Sequence, residues 1–183
     1  MEEFRVPESE ILARRETIQQ YIQKNDIGGI FISQRVDQFY FTGTAQNGYL
    51  YIPAEGEHLL FIKKYLPRAI KESPLKQILK IDSIKEIPGL IADYYGKLPQ
   101  MMGLEFDVLT VKNFNFYRTI FPVREFVDAS PFILKARMIK SAWEIEQMEK
   151  TAELSLAIFT NAQGTLRPGY TEQIGRASCR ERV

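Results

Sequence analysis

The sequence predicts an α/β fold, a mixed β-sheet flanked by helices and followed by a long linker helix. Three observations carry that prediction. Short apolar runs alternate with segments of helical spacing, as layers of sheet and helix require. Two strand-like runs, Gly48–Pro53 and His58–Lys63, flank Ala-Glu-Gly-Glu. That is a hairpin with glycine in its turn, and a hairpin makes the sheet mixed instead of all-parallel. Near Ser130 the pattern changes to one long amphipathic stretch with Ser141 and Glu144 at capping-box spacing.

Each element follows from local chemistry. Pro7 and Ser9 precede Ile11, Leu12, Ile18, Tyr21 and Ile22, a helix start followed by apolar residues near helical spacing. Asn25-Asp26 and Gly28-Gly29 end that helix. Gly29–Ser33 is a short apolar run and reads as a buried strand. Val36–Gly43 is rich in aromatic and β-branched residues and also reads as a strand. After the hairpin, Tyr65–Ser73 reads as a short helix and Gln77–Ile81 as a strand. Ile84–Tyr95 has helical spacing with Pro88 near its start. Met101–Phe106 is a strand, Leu109–Phe121 a helix despite its aromatic content, and Arg124–Ser130 a last short strand. In the final stretch Ile145, Met148, Ala152, Leu156 and Phe159 recur at three and four, with Gly164 near the C-terminal stop. Leu166–Glu172 resembles a loop and a fresh helix start.

Composition narrows the classes. The chain has 183 residues, 45% hydrophobic and 26% charged, which suits a soluble domain plus a remainder. A formal net charge of +1 gives no global field toward nucleic acid or anionic membrane. The acidic, polar start Met1–Glu10 has no basic region followed by an apolar run, so no signal peptide is expected. No apolar stretch approaches membrane-spanning length. Cys179 is the only cysteine and His58 the only histidine. Without Ile174–Val183 the body carries 21 positive and 22 negative residues and no cysteine. A disulfide framework is impossible, which fits a reducing compartment and a cytoplasmic location.

Nucleophile and phosphate signatures are absent: no G-x-S-x-G, no G-x-x-x-x-G-K-[ST], no G-x-G-x-x-G and no C-x-x-C. His58, with no second histidine to share a metal, reads as a partly exposed strand residue. Asp37 reads as a turn or strand-edge aspartate ahead of an aromatic-rich strand. Glu105 and Asp107 are two apart, so on a strand they share a face, in a structural or solvated role. Lys64, Arg68 and Lys71 read as one solvated helix face, with phosphate binding the sharper alternative. Trp143 and the Ile145/Met148 stripe read as a packing surface for a further domain.

Leu134–Glu172 resembles the junction of the creatinase, prolidase and aminopeptidase P family, the "pita-bread" metallopeptidases. That junction runs R-x-I-K-[ST]-x-x-E-I, then a helix, then P-G-x-T-E. Arg137, Ile139, Lys140, Ser141, Glu144 and Ile145 fit the first part, and Pro168, Gly169, Thr171 and Glu172 the second. Upstream, FYFTGTAQNGYLYIPAEGEHLLF resembles the family's Y-x-T-G segment and hairpin, GLEFDVLT its G-x-E strand, and FVDAS the strand before the junction.

The resemblance implies a creatinase-like, ribonuclease H-like N-terminal domain over 1–135. It implies a linker helix and the first residues of a truncated catalytic domain over 136–173. It implies a homodimer or higher oligomer acting on short proline-containing peptides as an Xaa-Pro aminopeptidase or dipeptidase. Two divalent metals, manganese, cobalt or zinc, would activate a water there. Their ligands, Asp, Asp, His, Glu and Glu, lie beyond the P-G-x-T-E turn in the family, so this chain supplies none, binds no cofactor of its own and is expected to be inactive alone. One position carries over. In aminopeptidases P the stretch D-x-x-Y-F-T-G sends an aspartate to the neighbouring subunit's cleft, and Asp37 of DQFYFTG matches it. The alternative is a creatinase-like or catalytically dead interaction module of the same fold.

Ile174–Val183, IGRASCRERV, does not resemble the family. It resembles the translation of a common sequencing adapter, ATC GGA AGA GCG TCG TGT AGG GAA AGA GTG. On that reading Cys179 and the tail arginines Arg176, Arg180 and Arg182 carry no function.

Overall fold

The computed structural model describes residues 5–165, with the side chain of Thr165 left aside. The tail Ile174–Val183 and the Pro168–Glu172 turn lie outside the described residues. The chain divides into two compact units, Met1–Met138 and Ile139–Val183.

The first unit is built on a sheet whose strands are β1 (Gly29–Ile32), β2 (Gly48–Pro53), β3 (Leu59–Ile62), β4 (Ile78–Lys80), β5 (Met101–Leu104) and β6 (Glu125–Asp128). Their order is β4-β3-β2-β1-β5-β6. β1–β2 and β2–β3 are antiparallel, while β3–β4, β1–β5 and β5–β6 are parallel. The mixed α/β sheet expected from the hairpin is therefore present. β1 sits between β2 and β5 and is buried throughout, which is why it reads as a continuous apolar run with no alternation.

Helices cover both faces. α1 (Glu8–Lys24), α2 (Arg35–Thr42), α3 (Leu66–Glu72) and α6 (Ser130–Met138) contribute Ile18, Ile22, Phe41, Ala69, Ile133 and Ala136 to one core, packed on Ile30, Ile32, Leu50 and Ile52. α4 (Ile87–Tyr95) and α5 (Val111–Ile120) contribute Ile87, Ile91 and Tyr117 to the other, packed on Phe31, Tyr51 and Phe61. Successive β1 residues thus feed opposite cores, as the two-residue period of a strand dictates. A tight 3-10 turn, Ile84–Glu86, opens α4, and Ser83 and Glu86 form its capping box.

Two expectations fail here. Val36–Gly43 is not a strand: it is α2, closed by Gly43 in the left-handed conformation at φ 75°. Its buried positions are Asp37, Gln38, Phe41 and Thr42, a helical spacing that aromatic content concealed. Strand preference of aromatics reflects packing on a sheet more than backbone bias, and here Phe41 packs against α1 and the sheet instead. The residues after Ser130, given no element from the sequence, form the helix α6. Asp128 explains the start: its Oδ1 accepts from Ser130 N at 2.9 Å and Ser130 Oγ at 2.6 Å.

In the second unit α7 (Ala142–Thr165) is the longest helix among the described residues. Ser141 N donates to Glu144 Oε2 at 2.9 Å and Glu144 N to Ser141 Oγ at 3.1 Å, the expected capping box. Gly164 falls in its last turn, and Ile145, Met148, Leu156 and Phe159 are exposed. Among the described residues no helix is long and apolar enough to cross a membrane.

Candidate functional site

Parallel strands β1 and β5 end side by side, and α2 begins directly beyond them. In open α/β sheets this carboxyl end is where polar groups collect. Glu105 follows the last residue of β5 and is 2% exposed. Its Oε2 accepts from Ser33 N at 2.7 Å, Gln34 N at 3.0 Å and Ser33 Oγ at 3.3 Å. Those two N–H groups lie at the turn from β1 into α2, where no ladder partner is left for them. Glu105 Oε1 is buried without a hydrogen-bond donor among the described residues.

Asp37 lies in the first turn of α2, 6% exposed, and faces the same carboxyl. Arg137 Nη1 donates to Asp37 Oδ1 at 2.6 Å, across the end of α6. Burial pushes Glu105 up to about 7, with the Asp37 charge adding to the rise and the Ser33 and Gln34 N–H groups opposing it. Near neutrality Glu105 is therefore poised between its two protonation states. Tyr40, one turn along α2, completes the cluster. Its hydroxyl donates to Ala136 O at 2.8 Å, Arg14 Nη1 donates to its carbonyl at 2.8 Å, and the guanidiniums of Arg14 and Arg137 lie 4.3 and 5.9 Å from its ring centroid.

This cluster pins α1, α2, α6 and the ends of β1 and β5 to one point. It holds an acid poised near neutral pH, and the serine hydroxyl that touches it, Ser33 Oγ, donates to the carboxylate. Among the described residues no group of three or more His, Cys, Asp or Glu could hold a metal ion. A dinuclear metal centre does not fit these residues.

The other candidates fall elsewhere. His58 is not partly exposed: it is 1% exposed, immediately ahead of β3, under the Phe41 ring at 6.5 Å between centroids. Burial, then the Arg15 charge, push it down to about 3, against a weaker opposing pull from the Phe41 backbone, so it is neutral. Neither ring nitrogen has a hydrogen-bond partner among the described residues. The turn before β3 folds inward beneath α1, where Arg15 Nη1 meets Glu57 Oε2 at 2.6 Å, and alternation along the hairpin could not show that. Asp107 is exposed and separated from Glu105 by the turn that ends β5; its N–H donates to Ser130 Oγ at 3.2 Å. Lys64 precedes α3 and so shares no helix face with Arg68 and Lys71. Arg68 Nε pairs with Glu72 Oε1 at 2.6 Å. Trp143 lies in the first turn of α7.

The sequence reading named Asp37 and Glu105 but not their juxtaposition, and it missed Tyr40 as a clamp and Ser33 and Gln34 as donors. One signal was available: Ser-Gln and Glu each follow directly on a short, largely apolar four-residue strand, so both sit at strand ends.

Comparison with known proteins places this architecture. Residues 14–139 match the model of the Creatinase/Prolidase N-terminal domain. An uncharacterized peptidase of Staphylococcus epidermidis is 29% identical over 161 residues, covering 85% of this chain and 45% of that protein. An Xaa-Pro dipeptidase of Pyrococcus furiosus is 27% identical over 143 residues, covering 78% of this chain and 39% of that protein. The solved prolidase from Pyrococcus furiosus superposes with a TM-score of 0.77 at 25% identity, over 89% of this chain and 50% of that one. The chain spans less than half the length of these curated relatives. The matched span takes in every strand of the sheet, all of α2 and all of α6. The chain belongs to the creatinase/prolidase N-terminal domain family.

Proposed function

We propose that this chain is the N-terminal, non-catalytic domain of an Xaa-Pro aminopeptidase or dipeptidase, with the linker helix that joins it to a catalytic domain. The observation that carries the reading is the family match over the whole sheet together with a curated Xaa-Pro dipeptidase relative. The reaction, its two divalent metals and their manganese, cobalt or zinc identity belong to a domain this chain does not include. The domain's own work is to assemble the oligomer and to restrict access to the cleft, favouring short proline-containing peptides in the cytoplasm. Asp37 is the residue offered to a neighbouring cleft, and in this conformation Arg137 holds its carboxylate. The exposed stripe of α7 would pack on the catalytic domain.

Purified chain supplied with manganese, cobalt or zinc should show no turnover of Xaa-Pro dipeptides. Metal-dependent cleavage that a chelator abolishes would sink the reading. Ile174–Val183 belongs to library DNA in this proposal, so the source DNA read past the codon for Glu172 should continue without that string. A continuing frame without Asp, Asp, His, Glu and Glu in order would favour the interaction module instead.

A further inference from the structure

At the opposite end of β1 and β5 from Asp37 and Glu105, where those strands begin, the chain forms a groove of about 500 Å³. That is enough room for a small molecule. Tyr51, Pro53, Tyr95, Leu98, Pro99 and Met101 give it an apolar body. Tyr51 is 2% exposed, and its ring reaches across the sheet onto Gly29. A Cβ added at Gly29 would stand 2.4 Å from the Tyr51 hydroxyl oxygen and 2.7 Å from Cζ. Glycine in this buried strand is therefore what admits the phenol, a close approach that no other residue allows. The hydroxyl so admitted has no hydrogen-bond partner among the described residues. An unpaired buried hydroxyl lowers stability, and phenylalanine would fill the same space without that cost. Tyr95 differs: its ring lies 5.8 Å from that of Tyr51 at 57°, and its hydroxyl donates to the Glu57 carbonyl.

The charge around the groove is negative. Asp26 and Glu55 line it, both are exposed, and neither is ion-paired among the described residues. Helix α1 ends on Lys24, two residues before Asp26, and α4 ends on Tyr95. The carbonyl ends of two helices thus border the groove and add to its negative field. Lys97 is the one cation of the lining, and it pairs with neither carboxylate.

We propose that this groove binds a small organic cation, an alkylammonium or alkylguanidinium. One of its N–H groups donates to Tyr51 Oη, Asp26 and Glu55 meet its charge, and its apolar stem lies along Pro53, Leu98 and Pro99. An anion would face two carboxylates and two helix C-termini. An uncharged apolar molecule would leave the phenol as unpaired as it is now. A free amine or guanidine and the side chain of a lysine or arginine share the required chemistry.

Titration of the 183-residue chain, followed through the Gly28, Ala54 and Leu98 amide resonances, tests the proposal with butylguanidinium, tetramethylammonium and butyrate. Butylguanidinium should shift these amides saturably, and butyrate should not. Tetramethylammonium, which has the charge but no N–H, should bind about tenfold more weakly. Tyr51→Phe should unfold at no lower urea concentration than wild type and should erase the difference between the two cations. Asp26→Asn combined with Glu55→Gln, both at exposed positions, should weaken both cations, and Lys97→Met should tighten both. A blocked tripeptide with a central arginine separates the two sources: tighter binding than butylguanidinium names a side chain, weaker binding a free cation. The proposal is overturned by groove amides that do not respond to butylguanidinium, by saturation with butyrate instead, or by a Tyr51→Phe chain that still discriminates between the cations as wild type does. None of these outcomes bears on peptidase activity, which the metal assay decides separately.

Discussion

Asp37 and Glu105 bring two buried carboxyl groups together from the start of a helix and the end of a strand, and Arg137 offsets only one of them. Glu105 pays the difference by holding its proton to about pH 7. The unfolded chain releases that proton near the ordinary carboxylate value of about 4.3. Between those values the folded state binds more protons, so the contribution of Glu105 to stability falls as pH rises from about 4.5 to 7 and levels off above.

Glu105→Gln should remove that loss. An amide oxygen can still accept from Ser33 and Gln34, and no second charge confronts Asp37. The variant should gain on the order of 1–3 kcal/mol over wild type at pH 8 and nothing at pH 4. Urea unfolding at both pH values checks it; equal effects at the two would show that the carboxyl charge is irrelevant.

His58 pulls the other way. Its folded value of about 3 lies below the unfolded 6.5, so its contribution is present above pH 6.5 and is lost as pH falls toward 3. His58→Leu removes both unpartnered nitrogens and should flatten the acid side of the stability profile. Between about pH 4.5 and 6.5 the two groups oppose each other, so stability there should rise with pH in Glu105→Gln and fall with pH in His58→Leu. Thermal melts across that window would expose a wrong assignment by a slope of the wrong sign.

Arg137→Met should be costly because it strands a buried carboxylate beside another. Removal of one partner of a fully buried pair costs about 3–5 kcal/mol, and the partial exposure of Arg137 lowers the expectation to about 2 kcal/mol. In an Asp37→Asn background the same change should cost under about 1 kcal/mol. A double-mutant cycle by chemical denaturation reads the coupling; additive effects would dissolve the clamp described above.

Gly48 opens β2 opposite Ile62, and an added Cβ would stand 2.0 Å from the Phe61 carbonyl oxygen. Backbone cannot swing aside as a side chain can, so Gly48→Ala should destabilise by roughly 3 kcal/mol. Gly89→Ala meets nothing within 4 Å and serves as the control that should lose little or even gain.

Much of the fold was legible because burial and period coincide in it. Gly29–Ile32 and Leu59–Ile62 are buried on both faces and read as unbroken apolar runs, and the hairpin glycine marks their neighbour. Ser141 and Glu144 announced α7 by chemistry that needs no tertiary partner. α2 was lost because its inward residues include Asp37, Gln38 and Thr42, polar groups buried only by partners such as Arg137 and the Gln46 carbonyl. The site was half legible for the same reason. A strand-end glutamate can be read locally, but its meeting with Asp37 is a property of the sheet's order.

That order has a consequence for synthesis. β1, β2 and β3 are close in sequence and can pair as soon as they leave the ribosome, yet the other flank of β1 waits for β5. The Ser33–Glu105 bond closes a separation of 72 residues. Until then a buried-type strand of Gly-Ile-Phe-Ile presents a bare edge, the feature that recruits chaperones or neighbouring nascent chains. Protease protection of stalled nascent chains should jump once Leu104 clears the exit tunnel, and an even rise with length would show that β1 is shielded earlier by other means.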